Sequence, residues 1–157
     1  MPQLDHYVYR GARAMVLLHE RHMREFLVVW RQFRAAGVVM PNTEDPDYAT
    51  PVKLLRHVLG AARGYMTWMC EHLQLPDPGI RPAPDANDIE AEADAFLEHL
   101  VERWRLPLAD LPEDDFGKAY DSRWGVPYCI DAMLEHAVMH PIRHTFQLRE
   151  LVDKGKP

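Results

Sequence analysis

Three histidines near the end of the chain, His136, His140 and His144, follow one another at intervals of four residues. In an α-helix, residues at this spacing lie about 5–6 Å apart on one face. Two such imidazoles can reach one metal ion, because an imidazole–metal bond is about 2.0–2.1 Å long. A pair of ligands is an incomplete site, so a third ligand has to come from elsewhere in the chain. His57 is the candidate, since it lies in the middle of an apolar stripe in an earlier segment.

A site built from His57, His140 and His144 would have neutral ligands and at least one open position, which is typical of catalytic metal sites. An open divalent ion lowers the pKa of a bound water or thiol and thereby creates a nucleophile at neutral pH. Because general affinity orders do not reveal the metal, Zn, Ni, Fe and Mn all remain candidates. Ligation requires neutral imidazoles with a free pKa of about 6.5, so we expect metal affinity to fall below about pH 6.

The same histidines are also compatible with a purely structural role that involves no metal. A half-buried histidine is commonly a polar side chain with a hydrogen-bond partner, and several buried imidazoles without a shared ion would each need such partners. Pro141 lies between His140 and His144, where it removes a backbone hydrogen bond and is expected to kink the helix. The spacing of the pair is therefore approximate.

Hydrophobic periodicity predicts four helices and no strands. Thr50 and Pro51 are typical of a helix start, Asn87 with Glu90 resembles a capping box, and Gly37 is typical of a helix end. Four helices of this length predict an all-α domain, a four-helix bundle that spans residues 1–157, with the first and last helices the longest. The predicted helical segments are residues 4–36, 50–75, 87–106 and 127–152.

Two of the predicted connections are long. Residues 38–49 contain two prolines in an acidic stretch, and residues 107–126 form an acidic and aromatic connection. Connections this long in a compact domain often serve a function. Tyr120, Trp124 and Tyr128 are candidates to cover a pocket, although aromatic side chains near a helix start also serve as simple packing.

The second and fourth segments resemble the DinB-like superfamily, which includes YfiT-like metal-dependent hydrolases. That family has a histidine on its second helix and a pair on its fourth, in the motif His-x-x-x-His-Arg-Gly-Gln. Here His57 follows Leu54-Leu55-Arg56, and the fourth segment places His140, His144 and Gln147 at the positions of the motif. Thr145 and Phe146 replace the Arg-Gly of the motif, so the ligands are retained while the surroundings of the substrate differ.

The resemblance implies a four-helix bundle, a divalent metal ion on His57, His140 and His144, and a homodimer. It also implies a small-molecule substrate, with low-molecular-weight thiols used by some members, in a transferase, isomerase or hydrolase reaction. It places His136 beside the ligands or in the lining of the cavity. A non-catalytic metal-binding protein and a dimeric scaffold of the same fold are the alternatives.

The sequence identifies no convincing general base and assigns no catalytic residue. Glu71, Asp131 and Glu135 lie on suitable segments, but carboxylates on helices are mostly solvated. His19 and His22 are read as surface or interface histidines, although one of them would also be compatible with the same cavity. No role is predicted for the remaining histidines, which are His6, His72 and His99.

Composition limits the possible partners. The net charge of −6, with 47% hydrophobic and 27% charged residues, is typical of a globular protein without the basic stripe that nucleic acid needs. Cys70 and Cys129 form no metal-binding spacing or disulfide framework and are expected to be small apolar residues. The chain shows neither a signal pattern nor a membrane-length apolar run, which predicts a cytoplasmic protein. The first segment is apolar on two faces, which favours a homodimer.

Overall fold

The computed structural model of the protein describes residues 4–155, apart from the side chain of Asp5, and within them the chain forms four α-helices and a small two-stranded sheet. The predicted single domain also includes residues 1–3 and 156–157, which lie outside the described part. The mostly helical architecture is confirmed, and the first and last helices are the longest, as predicted. The helices are α1 (Arg10–Ala36), α2 (Pro51–His72), α3 (Ile89–Trp104) and α4 (Ile130–Lys154).

Two of the predicted helix ends are confirmed. The Thr50 hydroxyl accepts a hydrogen bond from the Lys53 backbone N–H at 3.2 Å, with Pro51 in the first turn of α2. Gly37 ends α1 with a φ of 65°, a left-handed conformation that costs glycine little. The chain therefore encodes these two ends locally.

The predicted capping box at the start of α3 is wrong. Asp88, and not Asn87, is the N-cap residue, and its side chain makes no capping hydrogen bond. Glu90 instead accepts a hydrogen bond from Arg34 of α1 at 3.0 Å. The Glu90 carboxylate therefore takes part in a contact between α1 and α3 and does not cap α3.

Two helices begin later than predicted. Leu4–His6 forms a separate 3₁₀ turn, so α1 starts at Arg10. Residues 127–129 are strand β2 (Pro127–Cys129), which pairs antiparallel with β1 (Ala119–Asp121), so α4 starts at Ile130. Strands of three residues are too short to show an alternating pattern, and the sequence therefore predicted a loop and a helix here.

The helices pack as a bundle in which α4 contacts both α1 and α2, and α2 also contacts α3. Tyr9 approaches Asp131 and Glu25 binds Arg149, so α1 and α4 run in the same direction. The order of contacts between α2 and α4 shows that these two helices are antiparallel. The core between them is aromatic and aliphatic, and its largest fully buried side chains include Trp104, Phe26, Phe33, Phe96, Phe116, Leu55 and Met66.

Candidate metal centre

The structure brings together the three histidines that the sequence selected as metal ligands. His57 projects from α2, and His140 and His144 project from α4. The Nε2 atom of His140 lies 3.0 Å from Nε2 of His57 and 3.3 Å from Nε2 of His144. One nitrogen from each ring lies within 4.8 Å of the other two. The antiparallel packing of α2 against α4 is what places a side chain of residue 57 beside residues 140 and 144.

These nitrogen–nitrogen distances fit a shared metal ion. Two nitrogens bound at about 2.0–2.1 Å to one ion, with an angle of about 90–110° between the bonds, stand about 3.0–3.4 Å apart. Hydrogen bonding alone does not account for both contacts, because a proton on Nε2 of His140 can serve only one of them. The donor set therefore suits a cation that all three rings share.

The outer nitrogens of two rings are held by acceptors. Nδ1 of His57 lies 3.1 Å from a carboxylate oxygen of Asp47, and Nδ1 of His144 lies 2.9 Å from the side-chain oxygen of Gln147. Because both oxygens accept hydrogen bonds, each Nδ1 is the donor and each Nε2 presents its lone pair to the cluster. Such outer partners are typical of histidines that bind metals.

Asp47 and Tyr48 are functional candidates that the sequence analysis missed, because it treated residues 38–49 only as a loop. They lie on a 3₁₀ turn (Pro46–Tyr48), in which the Asp45 side chain accepts from the Asp47 backbone N–H at 3.0 Å. The available signal was a local one. An Asp-Pro pair followed by an acidic and an aromatic residue stands immediately before the helix that carries His57.

The hydroxyl of Tyr48 lies 3.4 Å from Nε2 of His57. Its ring is 5.2 Å from the His57 ring and 5.4 Å from the His144 ring, measured between centroids. Burial raises the pKa of Tyr48, although the nearby Arg143 charge acts in the opposite direction. Tyr48 is therefore a neutral hydroxyl at neutral pH, and it can donate a hydrogen bond to a ligand at the cluster.

Burial also prepares two of the rings for ligation. His140 and His144 are buried, and their desolvation lowers the pKa of His140 to about 2 and that of His144 to about 4. The neighbouring imidazoles and the Arg143 charge act in the same direction. Both shifts favour the neutral imidazole that metal ligation needs.

His136 lies next to the cluster and outside it. Its ring stacks on His140 at a centroid distance of 6.5 Å and is surrounded by Tyr65 at 5.2 Å, Trp124 at 5.2 Å and Tyr128 at 5.7 Å. These contacts agree with its predicted place beside the ligands. Trp124 and Tyr128 pack around His136, and the third loop aromatic, Tyr120, stacks on His72.

The sheet holds this aromatic group in place. Gly125 turns the chain between the two strands with a φ of 76°, and the Trp68 ring N–H donates to the backbone oxygen of Asp121 at 3.0 Å. Trp124 is at the tip of this turn and is stacked against His136. The connection of residues 107–126 is thus attached to α2 and α4 rather than detached from the bundle.

The interpretation of His19 as a surface or interface residue is wrong. His19 is 1% exposed and stacks on Trp104 at a centroid distance of 3.7 Å. Neither of its ring nitrogens has a hydrogen-bond partner among the described residues. Burial lowers the pKa of His19 to about 3, and the neighbouring His22 adds to the effect. His22 itself is half-buried and lies 3.2 Å from a Glu25 oxygen.

The three candidate general bases do not contact the triad within the described residues. Glu71 and Glu135 are exposed, and Asp131 lies 3.4 Å from the Tyr9 hydroxyl at the start of α4. Cys70 is buried, as predicted, whereas Cys129 is half-buried and accepts from the Ala132 N–H at the first turn of α4. The carboxylate nearest to the cluster is Asp47, which is already engaged with His57.

Two clefts open beside the cluster. One, of about 590 Å³, borders His144, Tyr48 and Gln147, and the other, of about 460 Å³, borders His57 and Asp47. Both volumes lie in the range of small-molecule sites, which is about 300–1,000 Å³. The cluster is therefore next to space that a small ligand can fill.

Comparison of the chain with models of protein families, with curated proteins and with solved structures found no match. None of the helices within residues 4–155 combines the length and apolar character needed to cross a membrane. The function has to be argued from the geometry of the triad and its surroundings.

Proposed function

We propose that the protein binds one divalent metal ion through His57, His140 and His144 and is a metal-dependent enzyme that acts on a small molecule. The observation that carries this proposal is the convergence of three Nε2 atoms, two of them in rings whose outer nitrogens are held by Asp47 and Gln147. A purely structural role would not require several imidazole lone pairs to face one point in the interior, where each is costly without a partner.

The reaction class follows from the donor set. A bound divalent ion would supply a Lewis acid that activates water or a thiol at neutral pH. The residues of the chain hold that ion with neutral ligands, keep the ligand tautomers fixed, and offer the Tyr48 hydroxyl as a hydrogen-bond donor. Hydrolysis or thiol-dependent transfer is the chemistry that this arrangement supports, in line with the resemblance to DinB-like proteins.

Metal binding without catalysis is the second candidate. It is favoured by one observation, that none of the carboxylates proposed as a general base reaches the triad within the described residues. A site of this kind would hold the ion with a filled coordination sphere and turn over no substrate. The clefts on both sides of the cluster favour the enzyme over this alternative.

The direct test is elemental analysis of protein purified without chelators. We expect about one ion of Zn, Ni, Fe or Mn per chain, and hydrolase or transferase activity in a substrate screen carried out with and without low-molecular-weight thiols. Activity that depends on both the ion and a thiol would identify a transferase. A native protein that holds no ion and takes up none of these four metals in vitro would contradict the proposal.

Asp47→Asn should weaken metal binding by about tenfold or more, because the carboxylate no longer polarises and orients the His57 ring. The measurement is competition with a metal-binding dye. Glu44→Gln is the matched control, since Glu44 is an exposed acidic residue of the same connection and the change also removes one negative charge. Equal affinities of the two variants would show that Asp47 has no role in the site.

We infer that the protein is a homodimer joined through the outer side of α1 and α4. Met139 and Phe146 are seven residues apart on one face of α4 and are 55% and 63% exposed. On the neighbouring α1, Leu18 and Val28 are also exposed. Apolar side chains concentrated on two packed helices are typical of an interface.

Light scattering should give about twice the 18.2 kDa mass of one chain. Phe146→Glu should shift the protein towards the monomer, because it places a charge in the interface. Val39→Glu is the control, since Val39 is 84% exposed in the connection between α1 and α2. A monomeric wild-type protein at micromolar concentration would contradict the inference.

A further inference from the structure

Arg143 is a cation next to the histidine cluster. It lies between His140 and His144 in the sequence, is exposed, and lines the 590 Å³ cleft. Within residues 4–155 its side chain makes no hydrogen bond or ion pair. Four other arginines of α1 and α4 are paired with carboxylates, namely Arg24, Arg31, Arg34 and Arg149.

The charge of Arg143 lies beside the cluster. Arg143 is the sequence neighbour of His144 and lines the same cleft as His144 and Tyr48. A negatively charged group would be stabilised in the same place.

The cleft beside Arg143 has an apolar wall as well as this charge. Met40, Leu54, Leu148 and Leu151 line it together with His144. A ligand that fills the cleft would bury an apolar body against these side chains, as small-molecule sites commonly do. The cleft thus combines an apolar wall with a cation that has no partner among the described residues.

The balance of charge in the cleft selects the head group. Lys154 also lines the cleft, but Glu150 lies 3.8 Å from it and lines the cleft too. These two charges offset each other, which leaves the positive charge of Arg143 and would leave that of an ion on the histidines as well. Both favour an anionic head group, and the planar guanidinium can bind a carboxylate with two hydrogen bonds.

The other cleft is also lined by cations, among them Lys53, but its two arginines are engaged with the protein. Arg56 donates to the Pro84 backbone oxygen at 3.1 Å, and Arg63 donates to the Ile80 backbone oxygen at 2.8 Å. Asp47 also lines this cleft, where its carboxylate would repel an anionic head group. The guanidinium of Arg143 therefore differs from those of Arg56 and Arg63, because within residues 4–155 it has no acceptor and its donors are available to a ligand.

We propose that the ligand of this site is a small amphipathic carboxylate, with its head group on Arg143 at the histidine cluster and its apolar body along Met40, Leu54, Leu148 and Leu151. This inference rests on the proposed function, since it names the ligand class of the same centre. Arg143 would act as a binding and specificity residue rather than as a metal ligand.

The test is calorimetric titration of octanoate into purified protein whose metal content has been measured. We expect octanoate to bind, and Arg143→Gln to weaken its binding by about 10- to 100-fold, the value of one charge-assisted contact. Arg149→Gln is the matched control, because Arg149 is an exposed arginine on the same helix that pairs with Glu25. This variant should bind octanoate as the wild type does.

Three further probes examine the chemistry of the ligand. Octanol lacks the charge and acetate lacks the apolar body, so each should bind at least tenfold more weakly than octanoate. Octyl phosphate tests the choice of head group, because a guanidinium can bind either anion with two hydrogen bonds. Tighter binding of octyl phosphate, or octanol binding equal to that of octanoate, would overturn the assignment of a carboxylate.

Metal analysis of the same samples separates this inference from the proposed function. If the protein retains its ion and Arg143→Gln binds octanoate as tightly as the wild type, the carboxylate site is refuted and the metal centre stands. If the protein holds no ion and takes up none of the four metals, but binds octanoate through Arg143, the carboxylate site is supported and the metal-dependent function fails.

Discussion

Replacing His140 by alanine should remove most of the bound metal while the helices stay folded. His140 is the central member of the triad, because its Nε2 atom lies 3.0 Å and 3.3 Å from those of the other two rings. Loss of this ligand should lower the metal affinity by more than the roughly 10- to 100-fold that is typical when an outer hydrogen-bond partner of a ligand is lost. The bundle should survive, since its core of apolar side chains is formed without the ion. Elemental analysis and circular dichroism measure the two effects.

His72→Ala is the matched control for this variant. His72 lies on the same helix as His57, but its ring packs on Tyr120 and Trp68 and does not contribute to the triad. The His72→Ala variant should retain the metal content of the wild type. A His140→Ala protein that keeps its full metal content would show that the ion, if bound, has another site.

Acid should destabilise the folded protein through His19. Its pKa is lowered to about 3 from an ordinary value of 6.5, because the ring is fully desolvated beside Trp104. Between these two pH values the unfolded chain binds a proton on residue 19 and the folded chain does not. The free energy of unfolding therefore falls as the pH drops from about 6.5 towards 3. From pH 7 to pH 4 this one group should contribute on the order of 3 kcal/mol.

The variant His19→Leu isolates this contribution. It removes two buried nitrogens that have no partner among the described residues, so at pH 7 it should be as stable as the wild type or more stable. The free energy of unfolding of this variant, relative to that of the wild type, should increase as the pH falls, because leucine cannot be protonated. Urea unfolding at pH 7, 5.5 and 4 measures the difference.

His72→Leu is the control, because His72 is a half-buried histidine on another helix, where it packs on Trp68 and Tyr120. It should not reproduce this increase. A stability difference between His19→Leu and the wild type that is the same at all three pH values would contradict the buried, neutral state of His19.

The sequence by itself determined the helices and the identity of the three converging histidines. Apolar residues at helical spacing predict a helix wherever they recur, since that period belongs to the backbone. The pair His140 and His144 shares a face for the same reason. His57 was selected because it stands in a second apolar stripe, and any bundle brings such stripes together.

Short-range signals failed where distant contacts competed with them. The capping box predicted for Asn87 and Glu90 was wrong because Arg34 of α1 takes the Glu90 carboxylate. The helix predicted to begin at Pro127 begins later because residues 127–129 pair with a strand that is itself only three residues long. Both outcomes depend on partners that a local pattern does not contain.

Only the tertiary structure decided the environment of each histidine. It placed Asp47 and Tyr48 against His57 and buried His19 against Trp104. It also left Arg143 beside the cluster without a partner among the described residues. The ionisation of an imidazole depends on its desolvation and on charges within a few ångströms of it. Those neighbours come from residues far apart in the chain, so they are fixed only when the helices pack.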